Sequence, residues 1–448
     1  METILNHEQL PRRARRSRNA LKVSLAVGCA SLLAACGSGA SSSATSGQSK
    51  AIAGSHHHSS ITITEEDWYG VPGPANIGAQ YLIDFFKNYS KKHPGVKIVR
   101  KAPPGSGYFS LVLSQASAGN LPDLLMIDNP DVPTLASTGT ILPLKKLGSI
   151  NTSGINPANL KETTYNGSLY CMPMYTNTIA IFYNKKMFAK AGITTPPRTW
   201  AQLLADGKKL TTPKVYGFLY QTGGGNGGPG TWQSDPFIWS NGGSRRHIDA
   251  TPAVQAISFL RELVKDGVSP TAVVNWTQQQ TIEEFEAGKA AMVENGLWNI
   301  PNMQASYKSL DWGTFQIPTR LASQHAITPF GGETWCVPTT NTAHEKAAFK
   351  ILQAMAAGTN IVQIAKGIDD VPTRESSWKL SPWNEPVYAA FLAELKNARA
   401  RTEYYTTDET QVSTIVGSAI ESAVIGKESV IAALRGAQAQ ISKLKVGG

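Results

Sequence analysis

Aromatic side chains stand next to carboxylates at places where predicted β-strands end. Trp68 and Tyr69 follow three consecutive acids, residues 65–67, after the alternating stretch ITIT, and Asp128 closes the apolar run LLMID. Aromatic rings pack against the C–H faces of a sugar, and carboxylates accept strong hydrogen bonds from its hydroxyls. These residues could therefore recognise a polyhydroxylated ligand. A surface turn with one buried ring explains Trp68 and Tyr69 equally well, and a helix N-cap explains Asp128 or Asp131.

A second pairing of ring and acid is formed by Trp232, which ends the glycine-rich stretch TGGGNGGPGTW, and Asp235, which follows it. This stretch lacks the Lys and Ser/Thr that open the helix of a phosphate-binding loop, so nucleotide binding is not expected.

Three acids at positions 283, 284 and 286 could suggest the carboxylate pair of a glycoside hydrolase. They fit instead the solvated face of a predicted helix, beside Ile282 and Phe285. The sequence also has no nucleophile elbow, HExxH motif or ordered Ser/His/Asp set. We therefore expect a binding protein and not an enzyme, with no catalytic residues, cofactor or metal site.

Alternating strands and helices must position these residues. The stretches ITIT, GVKIVRK and LPDLLMID are strand-like, and helical patterns lie between them in NIGAQYLIDFFKNYSKKHP and YFSLVLSQASAGN. This alternation predicts an α/β lobe with a mainly parallel sheet, in which binding residues gather beyond the strand ends. From Thr251 onward the pattern is mostly helical.

The composition indicates a folded globular chain with a mild positive charge. Of the 448 residues, 41% are hydrophobic and 17% charged, and the net charge is +10. No basic cluster suited to phosphates occurs, so nucleic acid is not an expected partner. Four cysteines are present without a CxxC spacing, which argues against zinc. Cys171 and Cys336 could form a disulfide in an exported protein or stay as two buried thiols.

The first 59 residues have the pattern of an export signal and a linker. A basic stretch, PRRARRSRNALK, overlaps the start of an apolar run, Leu21 to Ala35, that is too short to span a bilayer comfortably. LAAC, residues 33–36, resembles the lipobox of bacterial lipoproteins, in which a peptidase cuts before a lipidated cysteine. The resemblance implies a signal peptide over 1–35 and a lipid anchor on Cys36; an ordinary signal peptide with a chance cysteine is the alternative. Residues 36–59, rich in Ser, Gly and Ala, predict a flexible linker.

Several longer stretches resemble the extracellular solute-binding proteins of ABC transporters, in the sugar-binding group that contains maltose-binding protein. The most diagnostic is YNGSLYCMPMYTNTIAIFYNKKMFAKAGITTPPRTW, followed in order by FEAGKAAMVENGLW, GGETWCVPTTNTAHEKAAFKIL and SAIESAVIGKESVIAALRGAQAQI. The resemblance implies an α/β protein with the two-lobed type II periplasmic-binding-protein fold, whose lobes are joined by hinge strands around a ligand cleft. The expected N-terminal lobe comprises 60–175 and 334–371, and the C-terminal lobe comprises 176–333 and 372–448.

The same resemblance implies where the ligand is contacted. The chain is expected to cross between the lobes near 175–177, 333–335 and 371–374, and the nearby Cys171 and Cys336 then favour the disulfide. The expected ligand-binding residues are Trp68, Tyr69, Asp128, Tyr175, Asn177, Trp232, Asp235, Trp298, Gly332, Glu333, Trp335 and Arg374.

The function that the resemblance implies is the capture of a mono- or oligosaccharide and its delivery to the permease subunits of an ABC transporter. The expected protein is a monomer, anchored by lipid to the extracytoplasmic face of the bacterial cell membrane. A same-fold protein for a polyamine or a peptide is the alternative, although Arg374 would not suit a polyamine. An exported carbohydrate-active enzyme is a further alternative.

Overall fold

The computed structural model describes residues 60–70, 77–105, 107–222, 231–402 and 407–444. The predicted signal peptide, the linker and Cys36 lie outside the described residues. The strands are β1 Ile61–Glu66, β2 Val96–Lys101, β3 Leu124–Asp128, β4 Thr164–Tyr165, β5 Ser168–Leu169, β6 Cys171–Pro173, β7 Tyr175–Thr176, β8 Ile179–Asn184, β9 Met292–Gly296, β10 Trp312–Phe315, β11 Glu333–Cys336 and β12 Val371–Pro372. The α-helices are α1 Ile77–Lys92, α2 Tyr108–Ser117, α3 Val132–Ser137, α4 Pro157–Glu162, α5 Lys185–Lys190, α6 Trp200–Leu210, α7 Asp235–Ser240, α8 Thr251–Lys265, α9 Gln278–Glu286, α10 Ile300–Ser306, α11 Thr342–Ala356, α12 Asn360–Gly367, α13 Ala389–Leu395, α14 Glu409–Val424 and α15 Val430–Ile441.

The first sheet has five strands in the order β2-β1-β3-β11-β6. The predicted alternation of strand and helix from β1 to β3 is confirmed, and these three strands are parallel. Residues 124–127 of β3 are buried, which explains why the strand is apolar throughout. The sheet as a whole is mixed, because β11 runs antiparallel to both of its neighbours, β3 and β6, whereas the other four strands share one direction.

The second sheet is antiparallel, in the order β10-β8-β9. Leu219 extends it through a parallel bridge to Val293 of β9. Helices α9 and α13 pack against this sheet, and α8 packs against α14. Within the described ranges, no helix combines the length and apolarity that a membrane span requires.

Three chain segments run side by side between the two sheets. Strand β7 pairs with β12, and Asn177 pairs with Gly331. These segments, residues 175–177, 329–333 and 370–372, are called the crossing segments below. They fall close to the three predicted crossings, whereas the exact lobe boundaries stay a prediction.

A disulfide joins Cys171 of β6 to Cys336 of β11. The two residues are direct partners in the antiparallel ladder, and both are fully buried. The bond therefore links β6 covalently to β11, at a position three residues beyond Glu333 in β11.

Candidate functional site

A cavity of about 420 Å³ lies between the two sheets, next to the crossing segments. We call it the main cleft. Its walls combine aromatic rings, carboxylates, amides and two glycines. The lining residues are Trp68, Tyr69, Asp128, Asn177, Gln221, Trp232, Gln278, Trp298, Gly331, Gly332, Glu333, Ile368, Asp370 and Arg401. Eight of the predicted ligand-binding residues are in this set: Trp68, Tyr69, Asp128, Asn177, Trp232, Trp298, Gly332 and Glu333.

The first sheet presents its acids at one edge. Trp68 and Tyr69 follow the carboxyl end of β1, and Asp128 ends β3. Glu333 begins β11 and is the direct antiparallel partner of Asp128. This register brings two carboxylates together in the cleft, and the proximity has electrostatic consequences for both.

Arg401 neutralises one of these carboxylates. Its Nη1 and Nη2 lie 3.0 and 2.5 Å from the two carboxylate oxygens of Asp128. Its guanidinium also stacks over the ring of Trp232, 4.5 Å from the centroid. Burial alone would lower the pKa of Arg401, but the nearby carboxylate of Asp128 outweighs it and raises that pKa, so the guanidinium stays charged. A bidentate pair stacked on a ring holds all three side chains in one arrangement.

Glu333 forms no ion pair with any of the residues that the structure describes. Burial, and then the charge of Asp128, raise the pKa of Glu333 to about 7. The hydroxyl of Tyr69 lies 3.0 Å from Glu333 Oε2 and 3.0 Å from the hydroxyl of Tyr175. The carboxyl of Glu333 can therefore act as a donor or an acceptor near neutral pH.

Asp370 adds a third carboxyl at the base of the main cleft. It is buried, and Asn177 donates a hydrogen bond to its Oδ2 at 3.1 Å. Its Oδ1 has no hydrogen-bond partner in the part of the chain that the structure describes. Burial, and then the nearby Glu333, raise the pKa of Asp370 well above its usual value.

Glycines let two rings approach the backbone closely. A Cβ on Gly296 would lie 2.0–2.2 Å from three ring atoms of Trp298, so the ring packs directly on this glycine. A Cβ on Gly331 would lie 2.5 Å from the ring of Trp232 and 1.9 Å from Asn177 Oδ1. Gly332 has a φ of 107°, a conformation that favours glycine.

Four predicted ligand contacts lie outside the main cleft. Tyr175 and Trp335 are fully buried: Tyr175 lies behind Tyr69, and Trp335, two residues further into β11, packs near Phe86. Asp235 is also fully buried, 3.6 Å from Arg245, and burial raises its pKa to about 7.

Arg374 is the fourth of these residues. Its guanidinium donates to the backbone carbonyls of Asn151 and Ser153, which holds the side chain away from the ligand space. The sequence argument against a polyamine ligand relied on Arg374 as the arginine in the cleft. That residue does not line the cleft, and Arg401 does.

Six lining residues were not among the predicted ligand contacts: Gln221, Gln278, Gly331, Ile368, Asp370 and Arg401. One of them carried a readable signal. Thr277 and Gln280 form a capping box that starts α9, so Gln278 stands at the first helical position, and it lines the cleft there.

Paired crossing segments join the two sheets, and a cleft of rings and hydrogen-bonding groups lies between them; this arrangement defines a two-lobed ligand-binding protein. The chain belongs to the bacterial extracellular solute-binding protein family, whose model matches residues 84–390.

Relatives and solved structures support the family and the predicted type II fold. A maltooligosaccharide ABC transporter solute-binding lipoprotein of Streptococcus pneumoniae is 22% identical over 387 residues, which cover 82% of this chain and 84% of the relative. The structure of a cyclic alpha-maltosyl-1,6-maltose binding protein from Arthrobacter globiformis matches with a TM-score of 0.72 and 25% identity, covering 85% of this chain and 98% of the other. A Listeria monocytogenes substrate-binding protein in complex with cycloalternan matches with a TM-score of 0.74 and 22% identity, covering 86% and 98%, and shows the same fold.

Proposed function

We propose that this protein captures a carbohydrate in the main cleft and delivers it to the permease of an ABC transporter. The observation that carries the proposal is the composition of the cleft. Four aromatic side chains, Trp68, Tyr69, Trp232 and Trp298, line the same space as the amides of Asn177, Gln221 and Gln278. Rings and directional polar groups together suit a ligand with apolar faces and a rim of hydroxyls.

The charge state of the cleft favours a neutral ligand over a polyamine. Asp128 is paired with Arg401, and the pKa values of Glu333 and Asp370 are both raised. The three carboxyls therefore carry little uncompensated negative charge near neutral pH. A polycation would have to ionise the two unpaired acids, whereas a hydroxyl can donate to either form of them.

The names of two relatives state that they bind carbohydrates. A maltodextrin-binding protein of Bacillus subtilis is 24% identical over 277 residues, and a maltotriose-binding protein of Pyrococcus abyssi is 22% identical over 292 residues. Binding without chemistry is part of the proposal. Glu283, Glu284 and Glu286, the acids that could have suggested hydrolysis, lie on α9, and none of them lines the main cleft. Glu284 contacts Lys289 at 2.9 Å instead.

The proposal places the folded body as a monomer outside the cytoplasmic membrane, tethered by a lipid on Cys36. The support is the lipobox-like LAAC and the family's extracellular location. Replacing Cys36 by Ala should move the protein from the membrane fraction to the soluble fraction of cells, and mass spectrometry should then find no acylated N-terminal peptide. Membrane retention of Cys36→Ala would contradict the anchor.

A ligand screen tests the binding function. The full chain is titrated calorimetrically and heated with neutral mono- and oligosaccharides, spermidine and a peptide mixture. A ligand at one hundred times its dissociation constant adds about 2.7 kcal/mol to the free energy of unfolding. We expect stabilisation by a sugar, and no release of a cleaved product. Stabilisation by spermidine or peptides alone would refute the carbohydrate proposal.

A pair of tryptophan variants locates the binding in the main cleft. Trp298→Ala should weaken sugar binding about tenfold or more, because the ring lines the cleft. Trp312→Ala is the matched control, since Trp312 packs near Phe182, 5.7 Å between ring centroids, and does not line the cleft. Equal sugar affinity for the two variants would show that the sugar binds outside the main cleft.

A further inference from the structure

A groove of about 480 Å³ lies between α1 and β2, the edge strand of the first sheet. We call it the α1–β2 groove. It shares no lining residue with the main cleft. Three exposed lysines, Lys87, Lys91 and Lys97, line it beside Ser90. The sequence shows no compact basic cluster here, because the lysines come together only where α1 packs against β2.

The positive charge of these lysines is not neutralised by neighbouring acids. None of the three forms an ion pair with a residue that the structure describes. Arg100, the other basic residue of the groove, is bound by Asp67 at 2.5 Å. Asp84, the single acid in residues 77–101, accepts a hydrogen bond from Gln80 and does not line the groove. The α1–β2 groove therefore presents three uncompensated positive charges.

Local stability does not explain the three lysines. Lys87 and Lys91 are four residues apart on α1, and like charges at that spacing destabilise a helix slightly. A lysine on an edge strand discourages pairing with another chain, which accounts for Lys97 but not for the two lysines on the helix. Three ammonium groups that converge on one groove instead suit a partner that carries negative charge.

The α1–β2 groove lies on the side of the folded body where the chain enters it. Residue 60 precedes β1, and the N–H of Ile61 donates to the carbonyl of Gly95 at 2.8 Å. Thr62 pairs directly with Lys97 in the parallel ladder. Residue 60 is 24 positions after Cys36. A flexible linker of that length has a root-mean-square end-to-end distance of roughly 27 Å. The proposed lipid on Cys36 therefore keeps the groove near the membrane surface.

We propose, building on the lipid tether above, that the α1–β2 groove binds the phosphate headgroups of anionic phospholipids in the membrane. Lysine ammonium groups donate charge-assisted hydrogen bonds to phosphate oxygens. Because the lipid already holds the protein at the membrane, the groove contributes orientation. The first sheet then rests on the bilayer by the edge that carries the tether. Trp68 and Tyr69, which line the main cleft, follow the other end of β1, about 20 Å away along the strand, so the cleft stays open to ligand.

Vesicle binding by a lipid-free protein tests the proposal. The chain from residue 36 onward, with Cys36→Ala, contains every described residue and lacks the basic stretch PRRARRSRNALK, which would itself bind anionic lipid. The test variant is Lys87→Gln/Lys91→Gln/Lys97→Gln. The matched control is Lys186→Gln/Lys190→Gln/Lys214→Gln, which removes the same charge from three exposed lysines. Two of these lie four residues apart on α5, beside the second sheet, and none lines the α1–β2 groove.

The measurement is co-sedimentation with vesicles of phosphatidylcholine alone or mixed equally with phosphatidylglycerol, at low and high salt. We expect the parent chain to bind only the mixed vesicles and to lose binding as salt screens the charges. The test variant should bind the mixed vesicles about tenfold or more weakly, and the control should stay within twofold of the parent. Sugar affinity should be unchanged in both variants, since none of the six lysines lines the main cleft.

Three outcomes overturn the proposal: equal vesicle affinity in the test variant and the control, equal binding to both kinds of vesicle, and no vesicle binding by the parent. In the last case, binding of the parent to a soluble glycerol-phosphate polymer would assign the groove to an anionic polymer instead. Because the protein in this assay carries no lipid, failure of the tether or of sugar binding is detected separately, by the Cys36→Ala fractionation and the ligand screen above.

Discussion

Removing the disulfide should destabilise the protein strongly without moving the main cleft. Cys171 and Cys336 are separated by 165 residues, so the bond closes a long loop in the unfolded chain. Loop entropy for that length corresponds to about 5 kcal/mol at 25 °C, and typical measured losses are about 2–4 kcal/mol. We expect the double variant Cys171→Ala/Cys336→Ala to lose free energy of unfolding in that range. Alanine suits both positions because both are fully buried and need no polar partner.

Urea unfolding of the full chain measures this loss. The denaturation midpoint of the double variant should fall, and the sugar affinity of the folded protein should stay close to that of the wild type. Wild type unfolded in the presence of a reductant should match the double variant, whereas the variant should not respond to the reductant. Midpoints that agree within error for oxidised wild type and double variant would refute the reasoning, because the cross-link would then contribute nothing to stability.

Three further predictions follow from contacts in and around the site. Gly296→Ala should push the ring of Trp298 aside, because the new Cβ would lie 2.0–2.2 Å from it, and calorimetry should show sugar affinity lowered about 2- to 10-fold. Gly95→Ala is the control, because a Cβ on Gly95 would have no atom within 4 Å. Unchanged sugar affinity in Gly296→Ala would contradict a role for the Trp298 ring in binding. Burial raises the pKa of Glu394 from 4.5 to about 8, so the folded protein retains a proton that the unfolded chain releases, and stability falls as pH rises through this window. Glu394→Gln should flatten that slope in urea unfolding between pH 5 and 8, while exposed Glu283→Gln should not; an unaltered slope in Glu394→Gln would show that Glu394 does not titrate there. Arg374→Ala should lose about 1 kcal/mol of stability in urea unfolding, because the two hydrogen bonds to backbone carbonyls are removed, and it should bind sugar normally. A large loss of sugar affinity would indicate that Arg374 contacts the ligand.

The first sheet was predictable because its signals are local. Alternation in ITIT, the apolar run LLMID and the helical patterns between strands reveal elements that neighbours in the chain specify. Cleft-lining residues at the ends of those strands, such as Trp68 and Asp128, were found by the rule that binding groups gather at strand ends.

The remaining site residues depend on contacts between distant parts of the chain. Arg401 lines the cleft because its guanidinium pairs with Asp128, 273 residues earlier, and because Arg245 donates to its backbone carbonyl. No local sequence pattern predicts either contact. The same limit explains why Trp335 was wrongly expected in the cleft. Glu333 and Trp335 are two residues apart on one strand, and only the packing of α1 over the sheet shows that the ring of Trp335 is interior.

The location of the polar groups suggests how binding is coupled to lobe closure. Asn177, Gly331, Glu333 and Asp370 all lie on the crossing segments, where Asn177 pairs with Gly331 and donates to Asp370. A ligand that hydrogen-bonds these groups therefore contacts the segments that connect the two sheets as well as the sheets themselves. A ligand shifts an equilibrium between open and closed arrangements only by its difference in affinity for the two. Contacts on the crossing segments alone would persist in both arrangements, so that difference must come from residues carried by opposite sheets, above all Trp68 after β1 and Trp298 after β9.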